Sequence, residues 1–442
     1  MSILIKQAQI LLPDGNLQTG DLLVRQGKIA AIAENIDETA DQTIEAEGLT
    51  LLPGVIDPQV HFREPGLEYK EDLRTASHAC AKGGVTSFLE MPNTKPLTVT
   101  QAAMDHKLGL AASKCVVNYG FFTGATSHNL EELLSVNPTC GIKIFMGSMK
   151  GDLLVSEEEV LDKIFGHGSR LIAVHAEDQE RIKQRRQEIL SQYGDPPTDV
   201  PNAVHSEIQD NQAALLATKL AVKLSTRYQR RLHILHLSTG EEVEYLREHK
   251  APWITAEVTP QHLMLNTTAY EKLGSLAQMN PPLRSPEHNQ MLWQGLHDGI
   301  LDFIATDHAP HTLEEKARPY PGCPSGMPGV ETSLPLMLTA AADGRCTLAQ
   351  VSRWMSINAA KAYKIPNKGE LRIGWDADLV LVDRQTRKPV RREELLTKCG
   401  WSPFEGWQLT GWPVVTIVGG EVVFADGKVN AQVRGKALSF NA

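Results

Sequence analysis

Apolar and polar positions alternate in short runs at both ends of the chain. Residues 3–12, 21–25 and 28–33 read as strands, punctuated by turn signals such as Pro-Asp-Gly at 13–15. Residues 378–383 and 414–424, followed by Asp-Gly at 426–427, have the same texture. Successive side chains of a strand point to opposite faces, so such runs suit sheets with one buried face. Two all-β stretches at opposite ends of one chain predict a single small sheet domain built from both.

The middle of the chain has a different pattern. Apolar runs at 55–57, 86–91, 115–119, 141–145, 171–175, 233–237, 253–258 and 302–307 read as strands. Helix-like stretches separate them, such as residues 207–223. Repeated strand-then-helix units predict an α/β fold, a (β/α)₈ barrel with insertions. A doubly wound open sheet is the alternative. It would carry a phosphate-binding glycine loop after its first strand, and this sequence has none. The expected division is a barrel at 53–367, flanked by β segments at 1–52 and 368–442.

A length of 442 residues fits that division, being too long for one ordinary core. The net charge of −9 gives no overall pull toward nucleic acid or an anionic membrane. An anionic ligand would therefore need a local cationic pocket. The six cysteines form no Cys-x-x-Cys pair and read as reduced thiols of a cytoplasmic protein. Neither a signal peptide nor a membrane-spanning apolar run is expected.

Candidate chemistry gathers at the ends of the predicted strands. The first runs into Gln59, His61 and Arg63, which share one face if the strand stays regular. The fourth carries Lys143, the fifth ends at His175, the sixth carries His236 and the eighth ends at Asp307. Active sites of this barrel form at the carboxyl ends of its strands, so these residues should converge. His233 and His236 should face oppositely, and His236 is expected to look inward. Taken singly, a histidine such as His78, His205 or His233 is an ordinary hydrogen-bonded structural residue. The set, at successive strand ends, points instead to metal binding and proton transfer.

Residues 53–66 (PGVIDPQVHFREPG), 91–94 (MPNT), 175–178 (HAED), 280–284 (NPPLR) and 306–311 (TDHAPH) resemble the dihydroorotase motifs of the cyclic amidohydrolase superfamily. The likeness runs from about residue 50 to 375. It implies a TIM barrel with a small β-sandwich domain from the terminal segments. It implies two zinc ions, one held by His61 and Asp307, the other by His175 and His236. Lys143 would bridge them as a carbamate formed with carbon dioxide. Asp307 would also transfer the proton. Arg63, Asn93, Asn280 and His311 would hold the substrate, with backbone groups of Ser325 and Gly326. The implied reaction interconverts dihydroorotate and N-carbamoyl-aspartate in pyrimidine biosynthesis, and the implied assembly is a homo-oligomer.

The sequence departs from the family pattern at Gln59, where a histidine is usual. An amide is a poor zinc ligand beside an imidazole, so the first metal site should be weaker. Two alternatives follow. One is a chain without catalysis that serves as a structural partner of aspartate transcarbamoylase. The other is a related cyclic amidohydrolase of the hydantoinase, dihydropyrimidinase or allantoinase type.

Overall fold

The computed structural model describes residues 2–441. Eight parallel strand positions form the expected barrel: Val55–Val60, Val85–Glu90, Asn118–Phe121 continued by Thr123–Gly124, Ile142–Phe145, Ile172–His175, Leu232–Ile234, Ile254–Val258 and Phe303–Ile304. The third position is split. Asn118–Phe121 pairs with the second strand, whereas Thr123–Gly124 pairs with the fourth. The ring closes where Val60 bridges His308 and the His61 N–H donates to the His308 carbonyl at 2.7 Å.

Strand alternation sorts the core into two layers. Phe88, Ile144, Val174 and Ile234 face the surrounding helices. Ile56, Leu89, Phe122, Ala173, Leu235 and Phe303 fill the barrel interior. Register places Lys143 inside as well, since it lies beside Gly124 and Ala173, and Ala173 lies beside His233. The two small neighbours leave room for a long side chain.

Helix starts follow from local chemistry. Asp72, Asp178, Asp210 and Thr239 each accept a backbone N–H of the first turn. The helix expected at 207–223 is two, Val204–Ile208 and Asn211–Tyr228. The break has a cause: the Asp210 carboxylate accepts from Ala213 N–H and so starts a new helix.

The terminal segments join in one nine-stranded sheet. The two ends of the chain meet where Thr50–Pro53 pairs antiparallel with Leu379–Pro389. A bulge between Ile5 and Ala8 bends the first strand, Ser2–Leu11, and Gln7 takes a left-handed φ of 56° there. The buried Asp21 carboxylate accepts the Gln7 and Ile36 N–H groups and fixes that bend. Ile3, Ile5 and Leu22 then pack with Leu379, Leu381 and Ile417 in a core of their own. The run 414–424 is a hairpin instead of one strand. Gln408–Val418 turns back into Glu421–Ala425 through Gly419 and Gly420, both at positive φ, as a tight two-residue turn requires. All six cysteines are free and buried. Among the described residues, no helix is long and apolar enough to cross a membrane.

Candidate active site

The carboxyl ends of the barrel strands open on a cavity of about 210 Å³. Gln59, His61, Arg63, Asn93, Lys143, His175, His236, Asn280, Asp307, His311, Ser325 and Gly326 all line it. Every residue singled out from the sequence is therefore brought to one place. A larger hollow of about 750 Å³ in the sheet domain has no histidine in its lining, so size alone does not mark the site.

Several of these residues arrive by turns instead of by strand parity. The first strand stops at Val60, and Arg63 enters through a left-handed φ of 69°. The sixth stops at Ile234 and the eighth at Ile304, both shorter than expected. His236 (φ 35°) and Asp307 (φ 47°) lie beyond them in left-handed conformations. Non-glycine residues held there cost about 1–3 kcal/mol each and concentrate at functional sites. The turn also overturns the expected opposition of His233 and His236. His233 faces the interior too, stacked on Phe303 at 4.8 Å, while His236 reaches the cavity above it.

Around Asp307, Oδ1 accepts from Gln59 Nε2 at 3.1 Å and lies 3.0 Å from His61 Nε2. His61 Nδ1 lies 2.7 Å from Asn93 Oδ1. Both neighbours of the ring are acceptors, and burial keeps His61 below its usual pKa, hence neutral with one proton. When Nδ1 donates to Asn93, the Nε2 lone pair faces a carboxylate. Burial by itself would raise the Asp307 carboxyl, but the hydrogen bond that His61 makes when its proton sits on Nε2, together with nearby positive charge, holds it below the usual range.

The other side is built from imidazoles. His175 Nε2 donates to Glu177 Oε2 at 2.8 Å, which fixes the ring's tautomer. The remaining nitrogen, Nδ1, lies 2.9 Å from His236 Nε2. Burial pushes His175 down to about 3, with the Lys143 charge adding to the effect, and drives His236 well below 6.5. Both rings are neutral, the form that binds metals. Lys143 is fully buried, its Nζ lacks a hydrogen-bond partner, and burial brings its pKa down to about 7.

The opposite wall is cationic. Arg63 donates from Nε to the Pro310 carbonyl at 3.1 Å and from Nη2 to His311 Nε2 at 3.2 Å. Lys70 and Glu315, 3.0 Å apart, back the far side of His311. Asn280 Oδ1 accepts from the buried His205 at 2.8 Å. Gly326 is at φ 140°, and a Cβ there would stand 2.4 Å from the Ala309 carbonyl, so only glycine fits.

The donor set suits metal ions. Neutral imidazoles, an ionised carboxylate and an amine converge, and a neutral His61 always turns one ring lone pair toward an oxygen, that of Asn93 or of Asp307, an arrangement that a cation resolves. His236 Nδ1 and Lys143 Nζ are buried with no partner. Among the described residues, however, no three His, Cys, Asp or Glu side chains are grouped to hold an ion unaided.

Sequence reasoning gave no role to Glu177, Glu257 or Asp57. Glu177 was within reach: it lies two residues after His175, in the motif at 175–178. Glu257 accepts from His233 Nε2 at 2.9 Å, and burial raises its carboxyl well above the usual range. Asp57 accepts from Thr306 Oγ1 at 2.6 Å and so braces the residue before Asp307. Both are isolated carboxylates in apolar strands, with no spacing signal to single them out.

The amidohydrolase family model matches residues 50–423. The chain belongs to the amidohydrolase family. Members are generally metal-dependent. A dihydroorotase of Methanosarcina acetivorans is 38% identical over 95% of this chain and 91% of its own length. One from Halalkalibacterium halodurans is 34% identical over 97% of this chain and 100% of its own length. Among solved structures, the L-hydantoinase (dihydropyrimidinase) of Arthrobacter aurescens superposes with a TM-score of 0.93 at 30% identity, covering 99% of both chains. The dihydropyrimidinase of Brevibacillus agri NCHU1002 gives 0.91 at 27%, covering 100% of both. Sequence thus groups the chain with dihydroorotases, and the barrel with its flanking sheet is the architecture shared with hydantoinases.

Proposed function

We propose that the chain is an active dihydroorotase, which hydrolyses the ring amide of (S)-dihydroorotate to N-carbamoyl-L-aspartate and closes the ring in the reverse direction for pyrimidine synthesis. The observation that carries this reading is one small cavity with a metal-type donor set on one wall and the Arg63–His311 pair on the other. A neutral cyclic amide gives no use to that pair; a ring carboxylate does. Residues 53–367 act as the catalytic barrel, and 1–52 with 368–442 as its accessory β domain. That division is supported by the pairing of Thr50–Pro53 with Leu379–Pro389. The free buried thiols fit a cytoplasmic enzyme.

His61 and Asp307 would hold one zinc ion, and His175 and His236 the other. Bound there, zinc supplies a water of lowered pKa and polarises the amide carbonyl. Lys143, as a carbamate, would complete both shells. Its neutral amine adds carbon dioxide: the N–C bond forms, the nitrogen loses a proton, and the carbamate carries one negative charge. Arg63 presents a planar fork of donors to the ring carboxylate, assisted by Asn93 and His311. Asn280 and the backbone of Ser325 and Gly326 hold the amide edge. Asp307, kept ionised, takes a proton from the attacking water and delivers it to the departing ring nitrogen.

The test is turnover by the zinc-loaded chain in both directions, with dihydrouracil as the neutral control. Dihydroorotate should be preferred strongly, and Lys143 in the loaded protein should carry about 44 Da of extra mass, the carbon dioxide of the carbamate. Folded, metal-loaded protein without turnover would favour the non-catalytic partner of aspartate transcarbamoylase instead.

A further inference from the structure

A second chamber, of about 410 Å³, adjoins the cavity just described. Ser148, Asn280 and Ser325 line both, so the two spaces communicate. Lys150, Lys183 and Arg186 line the chamber, and no aspartate or glutamate does. This is unusual in a chain of net charge −9. Lys183 has a partner, Glu180 at 3.5 Å on the exposed side. Arg186 is half-buried on the helix Gln179–Leu190, and Lys150 is exposed on the loop opposite. Neither makes an ion pair or hydrogen bond among the described residues, although Arg181 and Arg185 of the same helix are both bound to Asp210.

We propose that this chamber is an anion-capture vestibule, in which Arg186 and Lys150 receive the carboxylate of the incoming ligand and pass it toward Arg63. The inference rests on the reading of the site as one for carboxylated substrates. Its physics is local. The chain as a whole repels an anion, and unpaired cations in a concave, low-dielectric wall reverse the sign of the field where it matters. The ligand class is a small mono- or dicarboxylate carrying an amide or ureide, the ring form with one carboxylate and the open form with two.

Thermodynamics constrains the consequence. The equilibrium constant is fixed, so weaker capture lowers kcat/KM by the same factor for ring opening and ring closure. The experiment compares the wild type with Arg186→Gln, Lys150→Gln, the double variant and Arg186→Lys. In the double variant kcat/KM should fall about fivefold at low salt in both directions. Its decline with ionic strength should flatten, and kcat should hold. Arg186→Lys keeps the charge and should stay near the wild type, which separates a field from a packing role. Calorimetric binding of N-carbamoyl-aspartate is the second measurement and needs no turnover. A chain that binds it, more weakly in the double variant, supports the vestibule even if dihydroorotate is not turned over, an outcome that strikes only the functional reading. Unchanged kcat/KM and salt dependence in the double variant, or no binding of N-carbamoyl-aspartate to the wild type, overturns the vestibule.

Discussion

Asp57 and His262 stand just outside the cavity and have every polar atom in use. Asp57 accepts from Thr306 N–H, Thr306 Oγ1 and Gln59 N–H. His262 lies 2.9 Å from Thr259 Oγ1 through Nδ1 and 3.0 Å from the Pro281 carbonyl through Nε2. At the mouth the opposite holds: Gln59 Oε1, Lys143 Nζ and His236 Nδ1 are buried without partners. A buried polar group left without a partner costs about 1–3 kcal/mol, so the mouth carries a cost that Asp57 and His262, which frame it, do not. The difference teaches that stability and activity reside in different residues of the same few strands. The mouth also holds three of the chain's left-handed residues, Arg63, His236 and Asp307, whereas Asp57 and His262 keep ordinary backbone angles.

The sharpest way to break this comparison is Asp307→Asn. The side chain keeps its size, so the melting temperature should stay within a few degrees, while turnover falls by about 10³-fold, in the range of a lost general base. Unfolding together with inactivation would place Asp307 in the frame.

A smaller effect is expected from His262→Gln, read as stability against pH. Burial holds His262 at about 4 in the fold, against 6.5 when exposed. Between those values the unfolded chain binds more protons than the native one, so this group's contribution is complete above about 6.5 and is lost as pH falls toward 4. The loss reaches on the order of 3 kcal/mol. Denaturation at pH 7 and pH 4 should therefore show less acid sensitivity in His262→Gln than in the wild type. Equal acid sensitivity would mean the ring is not held neutral.

The smallest change is expected from Gln59→His. The amide now donates to Asp307 and leaves its own oxygen orphaned. An imidazole there adds a ligand beside His61 and Asp307. Zinc titration should show the weaker class of site tightening about tenfold, with the stronger class, at His175 and His236, nearly unchanged. No change in either would show that residue 59 serves Asp307 alone.

Much of this frame could be read from residue order. Period-two patterning exposed both all-β ends, and apolar runs located the barrel strands, the third three residues early (115–119 against Asn118–Phe121 and Thr123–Gly124), because those signals come from burial itself. Turns were less legible. The ends of the sixth and eighth strands were placed too late because Leu235, Leu237 and Ala305 continue the apolar texture past the last paired residue, and the chain leaves the ladder through a φ that no pattern announces. The helix at 207–223 hid a capping aspartate inside an apparently continuous period. Glu257 and Asp57 escaped notice because a buried carboxylate is recognisable only by partners from other strands, Thr306 being 249 residues from Asp57. Those separations exist in the fold and not along the chain.

The pairing of the two chain ends has a consequence for synthesis. Leu52 lies opposite Val380, 328 residues later by subtraction of their positions. At about 5–20 residues per second, a ribosome needs on the order of 15–65 s to deliver that partner. Until then Thr50–Pro53 offers an open edge, and Ile3, Ile5 and Leu22 lack the cover of Leu379, Leu381 and Ile417. The nascent barrel can assemble strand by strand as it emerges, but its amino-terminal neighbour must wait until Leu379–Pro389, beyond the last barrel strand, has been made. A segment made before the barrel thus becomes native only after it, and it is where a nascent-chain chaperone would find apolar surface to hold.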